Sequence, residues 1–219
     1  EPLMRKGVVH FIKELQQLKK IGLKKISMTT NAHYLVQYAD ELKLAGLDDI
    51  NVSLDSLDEQ QFQQLTQKQL KPVLAGIQAA VSVGIPVKIN TVLMKGINDN
   101  QVLALVNWAI LNKFELRFIE FMPLDGDARW SKQHVVTEAE ILVQLRQPFD
   151  VVVAQNSHSD PARRYFINGH PIGVISTISN SFCGTCDRLR LTAKGDFFNC
   201  LFATDGQNLK NKIKALNNA

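Results

Sequence analysis

Cysteine is scarce in this chain of 219 residues, with three in all. An odd number excludes a complete set of disulfides within one chain. So low a count leads us to expect a reducing, cytoplasmic setting. Long apolar runs are absent as well, so no stretch suits a membrane-spanning helix, and no secretory leader is visible. Charge is nearly balanced: 25 Lys and Arg against 21 Asp and Glu leave +4. That excludes the dense basic footprint of a nucleic-acid binder but suits a ligand that carries phosphate. There is no low-complexity tract and no internal duplication beyond a strand–helix alternation. The composition is that of one substantial core with room for a small second lobe. Lys19, Lys20, Lys24 and Lys25 read as a solvated face near a helix end.

The three cysteines that are present fall in one short stretch. Cys183 and Cys186 form a C-x-x-C turn, and thirteen residues separate Cys186 from Cys200. The turn aims two sulfurs at one point, and the third returns on what reads as a strand hairpin. Arg188 and Arg190 alternate after the pair, which places both on one face of a strand. Three soft ligands beside two cations suit a metal centre that receives an anion. A structural zinc site would want four protein ligands; His170 is a candidate fourth, although its spacing does not demand the role. An iron–sulfur cluster on three cysteines would leave one iron open to substrate. Both readings stand at this level.

Upstream, strand and helix patterns alternate. Val8, Phe11, Ile12, Leu15 and Leu18 have helix spacing, and Lys25–Thr30 reads as a buried strand. Leu35 to Ala45 is a second stripe, followed by a strand at Ile50–Asp55. Ser56 and Glu59 read as a capping box for a short helix. Val73 to Val81, a strand at Pro86–Met94, a helix through Val102 to Ala109 and a strand at Glu115–Met122 continue the pattern. Strands nearly continuous in apolar or small polar residues predict a parallel sheet covered by helices. The spacing leaves a barrel and an open doubly wound sheet both available. Polar residues gather along and at the ends of four successive strands: Thr29, Thr30 and Asn31; Ser53 and Asp55; Lys88, Asn90 and Thr91; Arg117, Glu120 and Met122. In a parallel barrel the strand C-terminal ends form the ligand face. Asn31, Asp55 and Ser56 read individually as caps or turn formers. Lys88 and Arg117 sit within apolar strands, where an unpaired charge is costly, so they are expected to line a polar cavity. Pro123–Ser131 reads as a loop, and Thr137 with Glu140 caps a further helix. From Phe149 the signals turn to strands, with a hairpin at Asn168-Gly169. Leu209, Ile213 and Leu216 suggest a last short helix.

The expected fold is therefore α/β: an incomplete parallel, TIM-like βα barrel over residues 1–148, then a mostly antiparallel lobe over 149–219 that carries the cysteines. The run from Phe182 to Gly195, F-C-x-x-C-x-R-L-R-L-T-x-x-G, followed by Cys200-Leu201-Phe202, resembles the GTP 3′,8-cyclase family of radical S-adenosylmethionine enzymes. Four further segments occur in the family's order: Thr29-Thr30-Asn31, Asn51 to Ser56, Lys88 to Val92 and Leu116 to Met122.

The resemblance implies a lyase that opens molybdenum cofactor biosynthesis by converting GTP to (8S)-3′,8-cyclo-7,8-dihydroguanosine 5′-triphosphate. It implies that Cys183, Cys186 and Cys200 hold a [4Fe–4S] cluster whose open iron meets the guanine. Arg188 and Arg190 would be catalytic and, with Leu189, Thr29, Lys88 and Arg117, would bind GTP. Glu1, Ser53 and Met122 would contact S-adenosylmethionine, with Glu1-Pro2 matching the end of a G-G-E-P strand. In the family a 5′-deoxyadenosyl radical takes hydrogen from C3′ of GTP, and C3′ then bonds to C8. A homodimer and product transfer to cyclic pyranopterin monophosphate synthase also fit the resemblance. The family's C-x-x-x-C-x-x-C motif, which binds a second [4Fe–4S] cluster, and its terminal Gly-Gly are not in this sequence. The expectation is thus a fragment, inactive alone, with an unpaired sheet edge near Ile26 that invites association. Asp187 stands where the family commonly has Asn, which would weaken anion binding slightly. Two alternatives remain at this level: another radical enzyme with an auxiliary cluster, and a zinc-stabilised, non-enzymatic domain.

Overall fold

The computed structural model describes residues 1–124, 130–155, 160–181, 183–210 and 213. Strands β1 (Ser27–Thr30), β2 (Asp49–Ser53), β3 (Val87–Leu93) and β4 (Glu115–Glu120) lie side by side in chain order and are all parallel. Between and around them run α1 (Val8–Gln17), α2 (Leu35–Leu44), α3 (Glu59–Thr66), α4 (Leu70–Ser82) and α5 (Val102–Asn112). After β4 come α6 (Glu138–Arg146), β5 (Val151–Val153), β6 (Arg163–Ile167) and β7 (His170–Ile175). The sheet order is β1-β2-β3-β4-β7-β6-β5. A separate three-stranded antiparallel sheet, β8 (Arg190–Leu191), β9 (Asp196–Phe198) and β10 (Gln207–Asn208), lies beyond it.

The strands are less uniformly apolar than the sequence pattern implies. In β3, Val87, Ile89, Thr91 and Leu93 are buried, while Lys88, Asn90 and Val92 are only half-buried. In β4, Leu116, Phe118 and Glu120 are buried, and Glu115, Arg117 and Ile119 are half-buried. This strict alternation means that helices cover one face of the sheet and leave the other open. The covered face packs Ile50, Val52, Ile89, Leu116 and Phe118 against helix residues such as Leu35, Leu42, Ile77 and Leu105. The close approach of α4 to the loop after β1 rests on Gly76, where a Cβ would lie 2.1 Å from the Ala32 carbonyl oxygen.

The hairpin region is not a detached lobe. β7 pairs in parallel with β4, and β6 and β5 continue the same sheet as antiparallel strands. The reason is that α6 acts as a crossover helix, so β4, α6 and β7 repeat the strand–helix–strand unit. Asn168 and Gly169, both at positive φ (48° and 80°), then turn β6 into β7 as expected of a primed turn. Thr137 and Glu140 do form a capping box at α6. Ser56 and Glu59 do not form one at α3. The cap there is Asp58, whose carboxylate accepts from the Gln61 N–H at 2.8 Å, and Ser56 instead hydrogen-bonds Gln61 Oε1 at 2.7 Å. Two of the four lysines read as solvated are anchored: Lys19 to Asp48 at 2.7 Å, and Lys25 to Asp49. No helix among the described residues is long and apolar enough to cross a membrane. Phe182, part of the Pro123–Ser131 loop and most of the last helix lie outside the described residues.

Candidate functional site

The open face of the sheet is a polar surface. Alternation brings Asp49, Asn51 and Ser53 of β2, Lys88 and Asn90 of β3, and Glu115 and Arg117 of β4 to that one face. Strand pairing sets them in rows: Asn51 beside Lys88 and Lys88 beside Glu115, then Ser53 beside Asn90 and Asn90 beside Arg117. The two cations singled out from the sequence are each held by a carboxylate. Lys88 Nζ lies 3.0 Å from Asp49 Oδ2, which Lys25 also contacts. Arg117 presents Nε and Nη2 to Glu115 Oε1, both at 2.9 Å. Hydrogen bonds and charge from Lys25 and Lys88 hold Asp49 below the usual carboxylate range, although its burial pushes the other way. Gly173 on β7 pairs with Arg117, and a Cβ there would stand 3.2 Å from Arg117 Cγ and 3.1 Å from Ala162 Cβ. Thr29 and Ser53 are exposed at the strand ends. Among the described residues, three buried oxygens on this face, Asp49 Oδ1, Asn51 Oδ1 and Asn90 Oδ1, have no hydrogen-bond partner. Buried polar atoms are normally paired, so unpaired ones aligned on an open face mark a surface suited to a ligand.

At the rim, Glu1 accepts hydrogen bonds from Thr30 Oγ1 at 2.7 Å and from the Asn31 N–H at 2.8 Å. The carboxylate thereby ties the start of the chain to the end of β1, the edge strand. Asp55, after β2, accepts from the Val92 N–H at 2.8 Å, yet burial raises its carboxyl to about 6.

A cavity of about 340 Å³ lies where β4 and β7 end. Ile119, Met122 and Ile175 wall it on the sheet side, and Cys183, Cys186, Cys200, Arg188 and Arg190 line the other. Leu189 is 65% exposed and does not line it; β8 begins only at Arg190, so Arg188 reaches the cavity from outside a strand. The sulfurs accept hydrogen bonds: Cys183 from the Ser181 hydroxyl at 2.9 Å, Cys186 from Arg188, whose Nε lies at 3.3 Å, and Cys200 from the Phe202 N–H at 3.4 Å. The Arg188 backbone and then its guanidinium lower the Cys186 thiol pKa, which favours the thiolate that binds metal. Three soft donors line one cavity, a donor set of the kind an iron–sulfur cluster uses. The sulfurs do not gather at one point as the turn spacing suggested. Among the described residues no three His, Cys, Asp or Glu side chains are grouped to hold a single ion. His170 is no fourth ligand there: its Nε2 engages the Phe114 carbonyl at 2.7 Å and it does not line the cavity. Two further buried groups in the cavity, Arg190 Nη1 and Thr177 Oγ1, have no partner.

The structure therefore brings the three cysteines, both arginines and Met122 to one cavity, and Lys88, Arg117 and Ser53 to one sheet face. Glu1 stands at the β1 rim. Asp49 and Glu115, which hold Lys88 and Arg117, were not expected from the sequence. Only the strand register shows that they share a face with those cations.

Two family descriptions match the chain: the radical SAM superfamily over residues 1–109, and Molybdenum Cofactor Synthesis C over residues 114–219. The matched segments meet between α5 and β4, inside the continuous sheet. A curated protein of Streptomyces coelicolor named GTP 3′,8-cyclase is 41% identical over 221 residues, covering 98% of this chain and 64% of that protein. Proteins of the same name from Staphylococcus haemolyticus and Staphylococcus aureus are each 39% identical with the same coverage. The chain thus spans 64% of the length of these relatives. A solved structure described as TYW1 with a lysine-pyruvate adduct bound shares the fold, with a TM-score of 0.50 and 17% identity over 71% of this chain and 50% of that one.

Proposed function

We propose that the whole protein is a GTP 3′,8-cyclase, because residues 1–109 match the radical SAM superfamily, residues 114–219 match Molybdenum Cofactor Synthesis C, and relatives of that name are about 40% identical. The carrying observation is the cavity where three hydrogen-bonded sulfurs and two arginines face Met122 at the end of β4. In this reading the open polar face is the lumen of an incomplete barrel over residues 1–148. Residues 149–219 contribute the cluster and part of the GTP site, even though β5 to β7 share the barrel's sheet.

Cys183, Cys186 and Cys200 would hold a [4Fe–4S] cluster, with one iron left free for the base of GTP. That cluster would supply an open iron that orients the base, and S-adenosylmethionine with a second cluster in the whole protein would supply the radical chemistry. The protein's own residues position GTP. Arg188 and Arg190 provide forked donors suited to phosphate oxygens, and the unpaired Arg190 Nη1 supports that role. Lys88 and Arg117 would add charge from the sheet face, Thr29 a hydroxyl, and Leu189 its backbone. Asp49 and Glu115 would hold the two cations in place before GTP arrives, which lowers the ordering cost of binding. Met122 and Ser53 would meet S-adenosylmethionine at the strand ends. Glu1 would act there by fixing the end of β1. The wall formed by Ile119, Ile175 and Met122 would exclude water from the reacting atoms. Dimerisation and transfer of product to a cyclic pyranopterin monophosphate synthase belong to the same proposal.

Anaerobic reconstitution of the chain with iron and sulfide tests it. About four irons per chain should bind, and GTP binding should be lost in Arg188→Ala and Arg190→Ala with the iron retained. Stoichiometric zinc that resists exchange for iron would overturn the reading.

A further inference from the structure

We propose that Glu120 is a positioning residue that fixes the cysteine turn against the strand end carrying Met122; for the cluster, this rests on the functional reading above. Glu120 is the last residue of β4 and is fully buried. Four donors converge on its carboxylate. Oε2 accepts from the backbone N–H groups of Ile178 and Ser179, both at 2.8 Å. Oε1 accepts from the Glu138 N–H at 3.2 Å and from the Ser179 hydroxyl. Hydrogen bonds to an ionised acceptor are the strong kind, and a buried carboxylate holds them in a fixed geometry.

The segment so gripped leads directly to the cysteines. Two residues after Ser179 comes Ser181, whose hydroxyl donates to Cys183 Sγ at 2.9 Å. The segment's near end is held as well: the Ser176 hydroxyl donates to Glu138 Oε2 at 2.6 Å, and the Asn180 N–H returns to the Ser176 carbonyl at 3.3 Å. Glu138 is in turn bonded by the Tyr165 hydroxyl, which burial and that carboxylate push up to about 12. Two buried glutamates therefore join β4, the start of α6, β6 and the segment before the cysteine turn. Two residues beyond Glu120, just past the end of β4, Met122 lines the cavity that Cys183 also lines. Beyond the β4–β7 pairing and the Glu138 contact, the Glu120 carboxylate ties the segment before the cysteine turn to the end of β4. The Ile178 and Ser179 amides have little else to hold them, because the 176–181 segment contains no regular helix or strand.

The test uses the whole protein, metal-free and after reconstitution with iron and sulfide. Glu120→Gln keeps the shape but replaces one acceptor oxygen with an amide NH₂ that opposes the donors. Ser179→Ala removes one donor and serves if Glu120→Gln does not fold. Ile141→Val, a core change in α6 at a residue with no side-chain hydrogen bond to lose, provides a matched loss of stability. The expected result for Glu120→Gln is hydrogen exchange at Ile178 and Ser179 about tenfold or more faster than in Ile141→Val, the change from losing one charge-assisted bond. Iron loss to a chelator should accelerate in the same proportion, and Ser179→Ala should shift both readouts the same way by less. Amide exchange no faster than in Ile141→Val would overturn the proposal. An unchanged rate of iron loss despite faster exchange would overturn its bearing on the cluster. Failure of the unaltered protein to take up iron would count against the functional reading, and the exchange measurement would still decide the role of Glu120.

Discussion

The helix-covered face of the sheet and the cysteine-bearing segment are held by different physics. On the covered face Phe118, Leu116, Ile89 and Leu105 are fully buried and belong to one continuous apolar cluster. The cysteine segment has strands of two or three residues, its three thiols are exposed, and Leu189 and Leu191 stand more than 60% in solvent. It is held to the sheet by hydrogen bonds to Glu120 and Glu138. Burial of apolar area makes the first region stiff and costly to alter. The second can be altered at little cost in stability, which leaves its composition free to serve chemistry.

Substitutions should separate the two regions by size of effect. Phe118→Ala opens a cavity in the covered face and should cost about 3–5 kcal/mol in denaturant unfolding. Gly76→Ala should cost about 3 kcal/mol, because the new methyl meets the Ala32 carbonyl at 2.1 Å and the backbone cannot yield cheaply. A neutral result at Gly76 would show that α4 and the β1 loop are not tightly joined.

Asp55 stands just after β2, outside the cysteine cavity. Burial raises its carboxyl to about 6, so the folded state binds the proton more tightly than the unfolded chain. Its contribution is therefore most favourable below about pH 4 and is lost as pH rises from about 4 to about 6. Asp55→Asn should stabilise the protein at pH 7 by about 2 kcal/mol and flatten that part of the stability–pH curve. A curve of unchanged slope would remove Asp55 as the cause.

Ala32 holds positive φ (62°) in the loop after β1, a conformation disfavoured by a Cβ. Ala32→Gly should raise stability by up to about 1 kcal/mol, read from the denaturation midpoint. The smallest change in stability is expected at the cysteines. Cys186→Ser should leave metal-free unfolding within about 0.5 kcal/mol of the original while abolishing iron uptake. A large loss of stability in the metal-free protein would erase the contrast between the regions.

Much of this was legible from spacing. The βα alternation, the Thr137–Glu140 cap and the Asn168-Gly169 turn follow from local periodicity and turn chemistry, whereas Arg188 lines the cavity with Arg190 from outside β8. The Ser56 cap was misread because Asp58, two residues later, offers a better acceptor to the first turn of α3. β7 joined the main sheet because α6 can serve as a crossover, and a stretch of strand signals does not reveal which neighbour it will pair with. Asp49, Glu115 and Glu120 carry no local signature, since a carboxylate at a strand end resembles any other.

By itself the sequence determined the alternation of strands and helices and the spacing of the three cysteines, because these rest on residue type and on distances of a few residues along the chain. Tertiary structure alone decided that Lys88 meets Asp49, that Arg117 meets Glu115, and that Glu120 grips Ile178 and Ser179. Those contacts join residues brought together by strand register and crossover, and register is a property of the packed sheet, which no single segment contains.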